Sequence, residues 1–302
     1  MNIYHEQASN IWKTWGLMTF FLVFFIALGW IFSEAYDSEG ILVFAILFSI
    51  VLNIFSYWFS DKIALKSAGA REITKEENPT YWNVVENLAI TAGLPMPRLY
   101  VINDPVPNAF ATGRNKEHAA VAATTGLLQM MDRTELEGVI AHELSHIGNR
   151  DILISTVVVV LAGSIAMLSN IFLRSNFMFG GRRGNDRNGG GAIFLVIGLV
   201  AAILAPISAT LIQLAISRKR EYLADASGAL LTRYPEGLAS ALEKIEHYSG
   251  QLKHANNATA HLYISNPFGD RAHIQSFMTR IFSTHPPIED RIRILRGQEK
   301  ML

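Results

Sequence analysis

Four long stretches without a single charged residue are the feature that most constrains this chain. They cover residues 14–33, 40–60, 152–173 and 188–217, and the apolar part of the last begins near Ala192. A helix needs about 20 residues at 1.5 Å each to cross about 30 Å of hydrocarbon. Each stretch therefore predicts a transmembrane helix. The composition agrees, because half of the 302 residues are hydrophobic and only 17% are charged.

The charges around the first two stretches predict their orientation. Lys13 precedes the first stretch, the connector 34–40 holds three acidic residues and no basic one, and four basic residues follow the second within residues 62–75. By the positive-inside tendency, both ends of this hairpin face the cytoplasm. A cleaved signal peptide is the alternative for the first stretch, but a signal core has only about 7 to 15 apolar residues.

The second pair of stretches gives a conflicting charge signal. Its connector, residues 174–191, is rich in Gly, Asn and Arg and is predicted to be flexible. The connector carries four arginines against Asp186 alone, which opposes an external position. The two segments therefore either both cross the membrane or enter it only partly.

Residues 60–151 have the composition of a soluble domain, and their predicted strands and helices form a small α+β unit. Asn78 can cap a helix from Pro79 to Gly93, and Asp132 with Glu135 can form a capping pair for a later one. Strands are predicted at 98–103, 108–112 and 119–124, and further helices from Ser217 through Leu231, at 235–248 and at 286–295.

The sequence His142-Glu-Leu-Ser-His146 lies in the helix that Asp132 caps. A spacing of four puts both imidazoles on one face, where they can bind one ion, and places Glu143 beside a metal-bound water. The chain has no cysteine, so imidazole and carboxylate must supply the ligands. The motif therefore predicts a catalytic metal site with Glu143 as general base.

A third protein ligand must come from elsewhere. A histidine six residues after His146 would fit one class of such enzymes, but Ile152 stands there. Glu221, with Asp225 four residues on, is the candidate for the other class, in which Asp225 would accept an imidazole N–H. The alternative for Glu221 is an ion pair with Arg218 or Arg220.

These features together resemble the HtpX branch of the membrane-bound gluzincin metalloproteases, which is related to the CAAX-prenyl endopeptidases. The resemblance covers nearly the whole chain and includes Glu221-Tyr-Leu-Ala-Asp225 and His285-Pro-Pro-Ile-Glu-Asp-Arg291. It implies that Glu221 is the third ligand and that His285 and Arg291 approach the site, His285 as a stabiliser of the oxyanion. The alternatives are a turn and helix start for His285 and an ordinary salt bridge for Arg291.

The resemblance also implies an edge strand that binds the substrate backbone, formed by Asn108, Ala109, Phe110 and Ala111. An unpaired edge holds an extended peptide through main-chain groups without reading its sequence. A buried strand is the alternative. The remaining histidines lack a motif partner and are expected at the surface or at helix ends. They are His5, His118, His247, His254, His261 and His273.

The expected fold is a mainly α membrane protein with four transmembrane helices and a zincin-like α+β metalloprotease domain. The expected divisions are a hairpin at 1–60, the first half of the protease domain at 61–151, a second hairpin at 152–217 and a helical second half at 218–302. The resemblance implies a multi-pass protein of the bacterial plasma membrane whose active site faces the cytoplasm.

The expected function is endopeptidase activity with one Zn²⁺ per chain, acting on membrane or misfolded proteins in quality control. Prenyl-protein processing is the narrower alternative, and a scaffold or chaperone with a structural zinc is the other. The zero net charge and the lack of long charged runs give no reason to expect a nucleic-acid partner. The sequence does not predict the oligomeric state.

Overall fold

The structure is a computed structural model. It describes residues 3–180, 218–248, 250–254, 259–268 and 286–298. The chain begins with two long helices, α1 (Ile3–Tyr36) and α2 (Glu39–Ser67). Both contain candidate membrane spans, Ala8–Glu34 and Glu39–Ser67, which confirms the first two predicted segments by length and composition.

The helices α1 and α2 pack closely because a glycine lies at their contact. A Cβ atom built on Gly29 would lie 2.1 Å from the Cβ of Ala45. The turn between the helices is closed by the Ser38 N–H, which donates to the Ser33 carbonyl at 3.0 Å. Small residues at helix contacts allow this approach inside a bilayer, where backbones gain by packing tightly.

The third hydrophobic segment forms helix α6 (Asp151–Gly180). Its first half packs against the hairpin in one apolar cluster that includes Phe21, Val157 and Leu161. Helix α6 continues through Gly180, so residues 174–180 of the predicted connector are helical. The fourth predicted segment and the rest of the connector lie outside the described residues. Four transmembrane helices are therefore not established, whereas a mainly helical fold with two membrane-capable helices is.

A four-stranded sheet follows the hairpin, in the order β1-β2-β4-β3. The strands are β1 (Ala70–Glu72), β2 (Arg98–Ile102), β3 (Ala109–Gly113) and β4 (Ala119–Thr124). Strands β2 and β4 are parallel, and the two outer strands pair antiparallel. The strands β2, β3 and β4 lie within one residue of their predicted bounds. The short strand β1 was not predicted.

The remaining helices surround one central helix. They are α3 (Pro79–Ala92), α4 (Thr125–Met130), α5 (Arg133–Gly148), α7 (Arg218–Thr232), α8 (Pro235–Glu246) and α9 (Ile288–Leu295). The predicted caps are confirmed: Asn78 accepts from the Tyr81 N–H, and Asp132 and Glu135 form a reciprocal capping box. Helix α5 is buried along most of its length and is the central element of the domain core.

Candidate metal centre

Helix α5 carries the two histidines of the motif one turn apart. The Nε2 atoms of His142 and His146 lie 3.2 Å from each other. Helix α5 ends in a bend of 84° to the start of α6, so the pair lies next to the corner where the domain meets the apolar helices. His142 is almost fully buried, and His146 lines a small cavity of about 30 Å³.

Glu221 of helix α7 completes a group of three ligand atoms. Its carboxylate oxygens lie 3.9 Å from the Nε2 of His142 and 3.6 Å from the Nε2 of His146. Ligands bound tetrahedrally at 2.0–2.2 Å would lie about 3.3 to 3.6 Å apart. The three side chains therefore fit one metal ion with little adjustment. Among the described residues, no other cluster of metal-ligating side chains meets this test.

Helix α7 can approach α5 this closely because Gly228 faces the His142 backbone. A Cβ atom at Gly228 would lie 3.0 Å from the His142 nitrogen and 3.2 Å from the Ala141 carbonyl carbon. Such distances are shorter than ordinary van der Waals contact. The missing side chain at Gly228 thus sets the distance between the helix of the histidines and the helix of Glu221.

Each imidazole has a carboxylate on its Nδ1 atom. Asp225 lies 2.9 Å from the Nδ1 of His142, and Asp151 lies 3.1 Å from the Nδ1 of His146. A proton donated from Nδ1 to a carboxylate leaves Nε2 with a free lone pair directed at the ion. Two such lone pairs facing each other beside a carboxylate form a donor set suited to a cation.

Arg291 of helix α9 forms a hydrogen-bonded ion pair with Asp225. Its Nε and Nη2 atoms donate to the two carboxylate oxygens at 2.8 and 2.7 Å, and its side chain is fully buried. Burial alone would raise the pKa of Asp225, but the Arg291 guanidinium lowers it to about 2. Asp225 therefore stays ionised and keeps its orientation towards His142.

The two histidines differ in their affinity for protons. Burial lowers the pKa of His142 to about 4, despite the neighbouring Asp225. Burial would also lower the pKa of His146, but the hydrogen bond to Asp151 and the charge of Glu221 raise it to about 9. In the metal-free protein His142 is therefore neutral at pH 7, whereas His146 is a positively charged imidazolium that must lose one proton before its Nε2 can bind an ion.

Glu143 lies beside the histidines and lines the same cavity. Burial, with a contribution from Glu221, raises the pKa of Glu143 to about 7, against the lowering effect of His146 and of a hydrogen bond from the Ala111 N–H. A carboxyl group with a pKa near neutral pH can both accept and release a proton. The position of Glu143 thus suits an acid–base role at the centre.

Strand β3, which contains Ala109, Phe110 and Ala111, lies at the edge of the sheet as the resemblance implied. The Asn108 carbonyl accepts a hydrogen bond from the N–H of Thr124, the last residue of β4, so Ala109 and Ala111 direct their main-chain groups away from β4. The strand is nevertheless buried along its whole length. The edge strand and the buried strand that were predicted as alternatives are therefore both found in part. β3 is an edge strand in its hydrogen bonding, and other elements cover it.

A covering segment, residues 259–268, occupies part of this edge. Within it the Ile264 N–H donates to the Ala109 carbonyl at 3.0 Å. The side-chain amide of Asn108 bonds the Ser265 carbonyl at 3.2 Å, and Arg291 Nη1 donates to the Ile264 carbonyl at 3.2 Å. The chain therefore places its own backbone on the edge next to Glu143.

Several residues at the site were not identified from the sequence. Asp151 begins α6 five residues after His146, and its role needed the sharp bend between α5 and α6. Asn10 of α1 donates from Nδ2 to Asp151 and accepts at Oδ1 from Arg220 at 3.3 Å. No local pattern could have revealed a contact between residues 141 positions apart.

The expectation for His261 was wrong, and that for His285 is not described. His261 is buried, lines the cavity with His142 and His146, and bonds the Ser155 carbonyl at 2.9 Å through Nε2. A short 3₁₀ turn, Ala260–Leu262, folds it inward, which the sequence alone did not indicate. His285 lies outside the described residues.

The fold and the site together define a class of protein: a membrane-bound metallopeptidase in which helix α5 carries the His-Glu-x-x-His motif. Residues 75–299 match peptidase family M48, and the chain belongs to this family. The resemblance stated from the motifs is thereby confirmed, and so is the enzyme class.

Relatives match over nearly the full length. The chain is 49% identical over 299 residues to a "Protease HtpX homolog" of Caldanaerobacter subterraneus subsp. tengcongensis, covering 98% of this chain and 97% of the relative. It is 48% identical over 293 residues to one from Pyrococcus furiosus, covering 96% of each. Among solved structures, S. mikatae Ste24p matches with a TM-score of 0.50 at 18% identity, over 97% of this chain and 67% of that one. That last likeness concerns the fold alone.

Proposed function

We propose that this metallopeptidase is a zinc-dependent endopeptidase that cleaves membrane proteins or misfolded proteins. His142, His146 and Glu221 hold the ion, and Glu143 is the general base. The single observation that carries this proposal is the convergence of two imidazole Nε2 atoms and a carboxylate beside a buried glutamate. The relatives called protease HtpX homologues match over the same span of sequence, which supports the same activity for this chain.

Zinc suits the donor set. Two imidazoles and one carboxylate in a site with room for a fourth ligand most often bind zinc among the available metals. Within the described residues only three side chains are positioned as ligands, so a water has a place. When bound, zinc polarises a carbonyl group and lowers the pKa of a coordinated water.

The side chains around the ion perform the proton transfers. Glu143 takes a proton from the attacking water and gives it to the leaving amine, a sequence that needs a carboxyl group near its midpoint of titration. In the metal-free protein burial raises the pKa of Glu143 to about 7, so its carboxyl group can both accept and release a proton. Asp225 and Asp151 hold the two imidazoles with Nε2 towards the ion, and Arg291 fixes Asp225. We assign His285 the stabilisation of the oxyanion on the resemblance alone.

A substrate backbone would take the place of the covering segment on β3. The cavity of about 30 Å³ has space for only about two water molecules, so a peptide cannot enter without displacing residues next to Ile264. The Ala109 carbonyl, which accepts from Ile264 in the closed arrangement, then becomes available to an extended peptide. Recognition through main-chain groups predicts low sequence specificity, which suits a protease for misfolded chains.

The catalytic domain works on the cytoplasmic side of the plasma membrane, as the loop charges around the first hairpin imply. Prenyl-protein processing is less well supported, because the relatives that match nearly the full length of the chain are named protease HtpX homologues. A structural zinc would need a closed shell of four protein ligands. The described residues provide three, which favours catalysis over a scaffold role.

The test is the substitution Glu143→Gln in the purified full-length protein. It should retain zinc and thermal stability but cleave an unfolded polypeptide and a single-span membrane protein at least about 100-fold more slowly, since general-base catalysis contributes about 10²–10⁴-fold. Glu137→Gln is the matched control, because Glu137 lies on the same helix and pairs with Arg133 at the surface. Cleavage by Glu143→Gln at the rate of the control would reject the assignment.

A further inference from the structure

A second cavity, of about 310 Å³, lies where the hairpin meets the catalytic domain. The helices α1 and α2 contribute aromatic walls, Trp15 and Tyr57, whose rings stack at 6.2 Å. The turn between β3 and β4 and the corner between α5 and α6 form the other side. The volume is ten times that of the metal cavity and lies within the range of small-ligand sites, about 300–1,000 Å³.

The domain side of this cavity is positively charged. Arg114, Lys116 and Arg150 line it, and Glu117 is its one acidic residue. Among the described residues, no carboxylate lies within salt-bridge distance of Arg114 or Arg150, and Lys116 reaches only Glu117, at 3.9 Å. A concave site with a surplus of two positive charges, and with no described carboxylate beside either arginine, favours an anionic ligand.

Three tryptophans indicate that this cavity lies at the level of the membrane surface: Trp15 lines it, Trp12 lies one turn before Trp15, and Trp58 contacts Arg114, which also lines it. Trp12 and Trp15 lie near the start of the first span, and Trp58 lies two residues before the end of the uncharged stretch 40–60 of the second. All three are at least 49% exposed. Tryptophans at the ends of spans mark the level of the lipid headgroups. The Arg114 guanidinium lies 4.6 Å from the centre of the Trp58 ring, which holds a positive charge at that level.

We propose that this cavity binds the headgroup of an anionic phospholipid. The phosphate lies among Arg114, Lys116 and Arg150, where guanidinium groups can bind its oxygens in pairs. The acyl chains leave between the apolar surfaces of Trp15 and Leu153, which line the same cavity. Basic pockets beside transmembrane helices bind such headgroups through this combination of charge and apolar surface.

The lipid site adjoins the metal centre. Arg150 has a left-handed backbone conformation, with φ at 59°, at the corner between α5 and α6. The next residue, Asp151, holds His146, and Ile152 lines both cavities. An anion bound at Arg150 is therefore next to the residues that orient a ligand. The lipid-binding proposal itself does not depend on the chemistry of the metal.

The experiment compares lipids on the purified full-length protein. The protein is mixed with equal amounts of phosphatidylglycerol and phosphatidylcholine that have the same acyl chains. Native mass spectrometry then counts the lipid molecules bound to it. We expect wild type to retain phosphatidylglycerol at least about fivefold over phosphatidylcholine. Equal retention of the two lipids by wild type would refute the proposal without any variant.

Variants then test the position. The triple variant Arg114→Gln, Lys116→Gln and Arg150→Gln should lose the preference. The control variant Arg71→Gln, Lys75→Gln and Arg133→Gln removes the same charge from surface ion pairs and should keep it. An equal loss in both would show a general charge effect and overturn the site.

Two further measurements keep the test decisive. Lys116→Gln alone changes an exposed side chain, so it should fold and still reduce the preference for phosphatidylglycerol about twofold or more. An unchanged preference in a folded triple variant would contradict the proposal. If the triple variant does not fold, an unchanged preference in Lys116→Gln would contradict it. Millimolar inorganic phosphate should leave bound phosphatidylglycerol in place. Full displacement by phosphate would mean a site for free phosphate and would reject the lipid.

Discussion

Replacing Asn10 by alanine should weaken metal binding, although Asn10 lies on the first apolar helix and touches no ligand. Its side chain is 1% exposed. Its Nδ2 donates to Asp151 and to the Asn149 carbonyl, and its Oδ1 accepts from Arg220, the residue before Glu221. One amide thus connects the carboxylate that orients His146 to the helix that carries the third ligand.

The size of the effect follows from these contacts. Alanine would leave a buried carboxylate and a buried guanidinium without one partner each, and each lost partner costs about 1–3 kcal/mol. Loss of a group bonded to a metal-binding histidine usually lowers metal affinity about 10- to 100-fold, and this range is the upper limit for Asn10, which holds the carboxylate bonded to His146. That range corresponds to about 1.4–2.8 kcal/mol, which agrees with the loss of one such contact. Asn10→Asp should weaken binding further, because it places a second carboxylate against Asp151.

Competition with a chromophoric chelator measures the affinity, and the d–d spectrum of the cobalt-substituted protein reports distortion at the ion. Asn53→Ala is the matched control, because Asn53 is an amide of α2 whose Nδ2 bonds its own helix at Ser49. We expect a lower affinity and a changed spectrum only for Asn10→Ala. If Asp151→Ala loses metal while Asn10→Ala binds it like wild type, the amide does not position the site.

Two further predictions concern the same centre. The pKa of His146 is about 9 in the metal-free protein, so zinc must displace one proton in order to bind below that pH. The zinc affinity should therefore fall about tenfold per pH unit from pH 8 to pH 6. A zinc affinity that does not change over this range would contradict the prediction. His142 adds no second proton in this range, because its pKa is about 4. Gly228→Ala should push α7 away from α5, costing about 1–3 kcal/mol of stability and part of the zinc affinity. Gly163→Ala, where a Cβ atom meets nothing within 4 Å, should lower neither quantity.

Local sequence signals predicted much of this molecule. The capping box of Asp132 and Glu135, the cap at Asn78 and the spacing of His142 and His146 each involve residues within four positions of one another. Such signals are read directly because helix geometry fixes their distances. Strands β2 to β4 also followed from short runs of apolar and β-branched residues.

Contacts between distant segments could not be predicted in this way. Strand β1 has only three residues and exists because it pairs with β2. Asn10 of α1 contacts Asp151, 141 positions later, and Ile264 of the covering segment donates a hydrogen bond to Ala109 of β3. These contacts depend on how whole elements pack, which no periodicity within one element records.

The meeting of His142, His146 and Glu221 also restricts the topology. Their ligand atoms lie within 4.8 Å of one another, so Glu221 is on the same side of the membrane as the histidines. The chain between His146 and Glu221 must therefore cross the bilayer an even number of times, either twice or not at all. The length and apolarity of its two hydrophobic segments favour two crossings. The arginines of the connector oppose that arrangement, but long apolar segments commonly outweigh local charge.

Single cysteines can test this topology, because the chain has none of its own. Cysteine at Lys75 or Tyr234 should stay protected from a membrane-impermeant reagent on intact cells, and cysteine at Ser38, in the turn of the first hairpin, should be labelled. With two crossings, cysteine at position 186 of the connector should also be labelled; with none, it should be protected. A labelled cysteine at position 234 together with a protected one at position 75 would put Glu221 across the membrane from its histidines and exclude the metal centre.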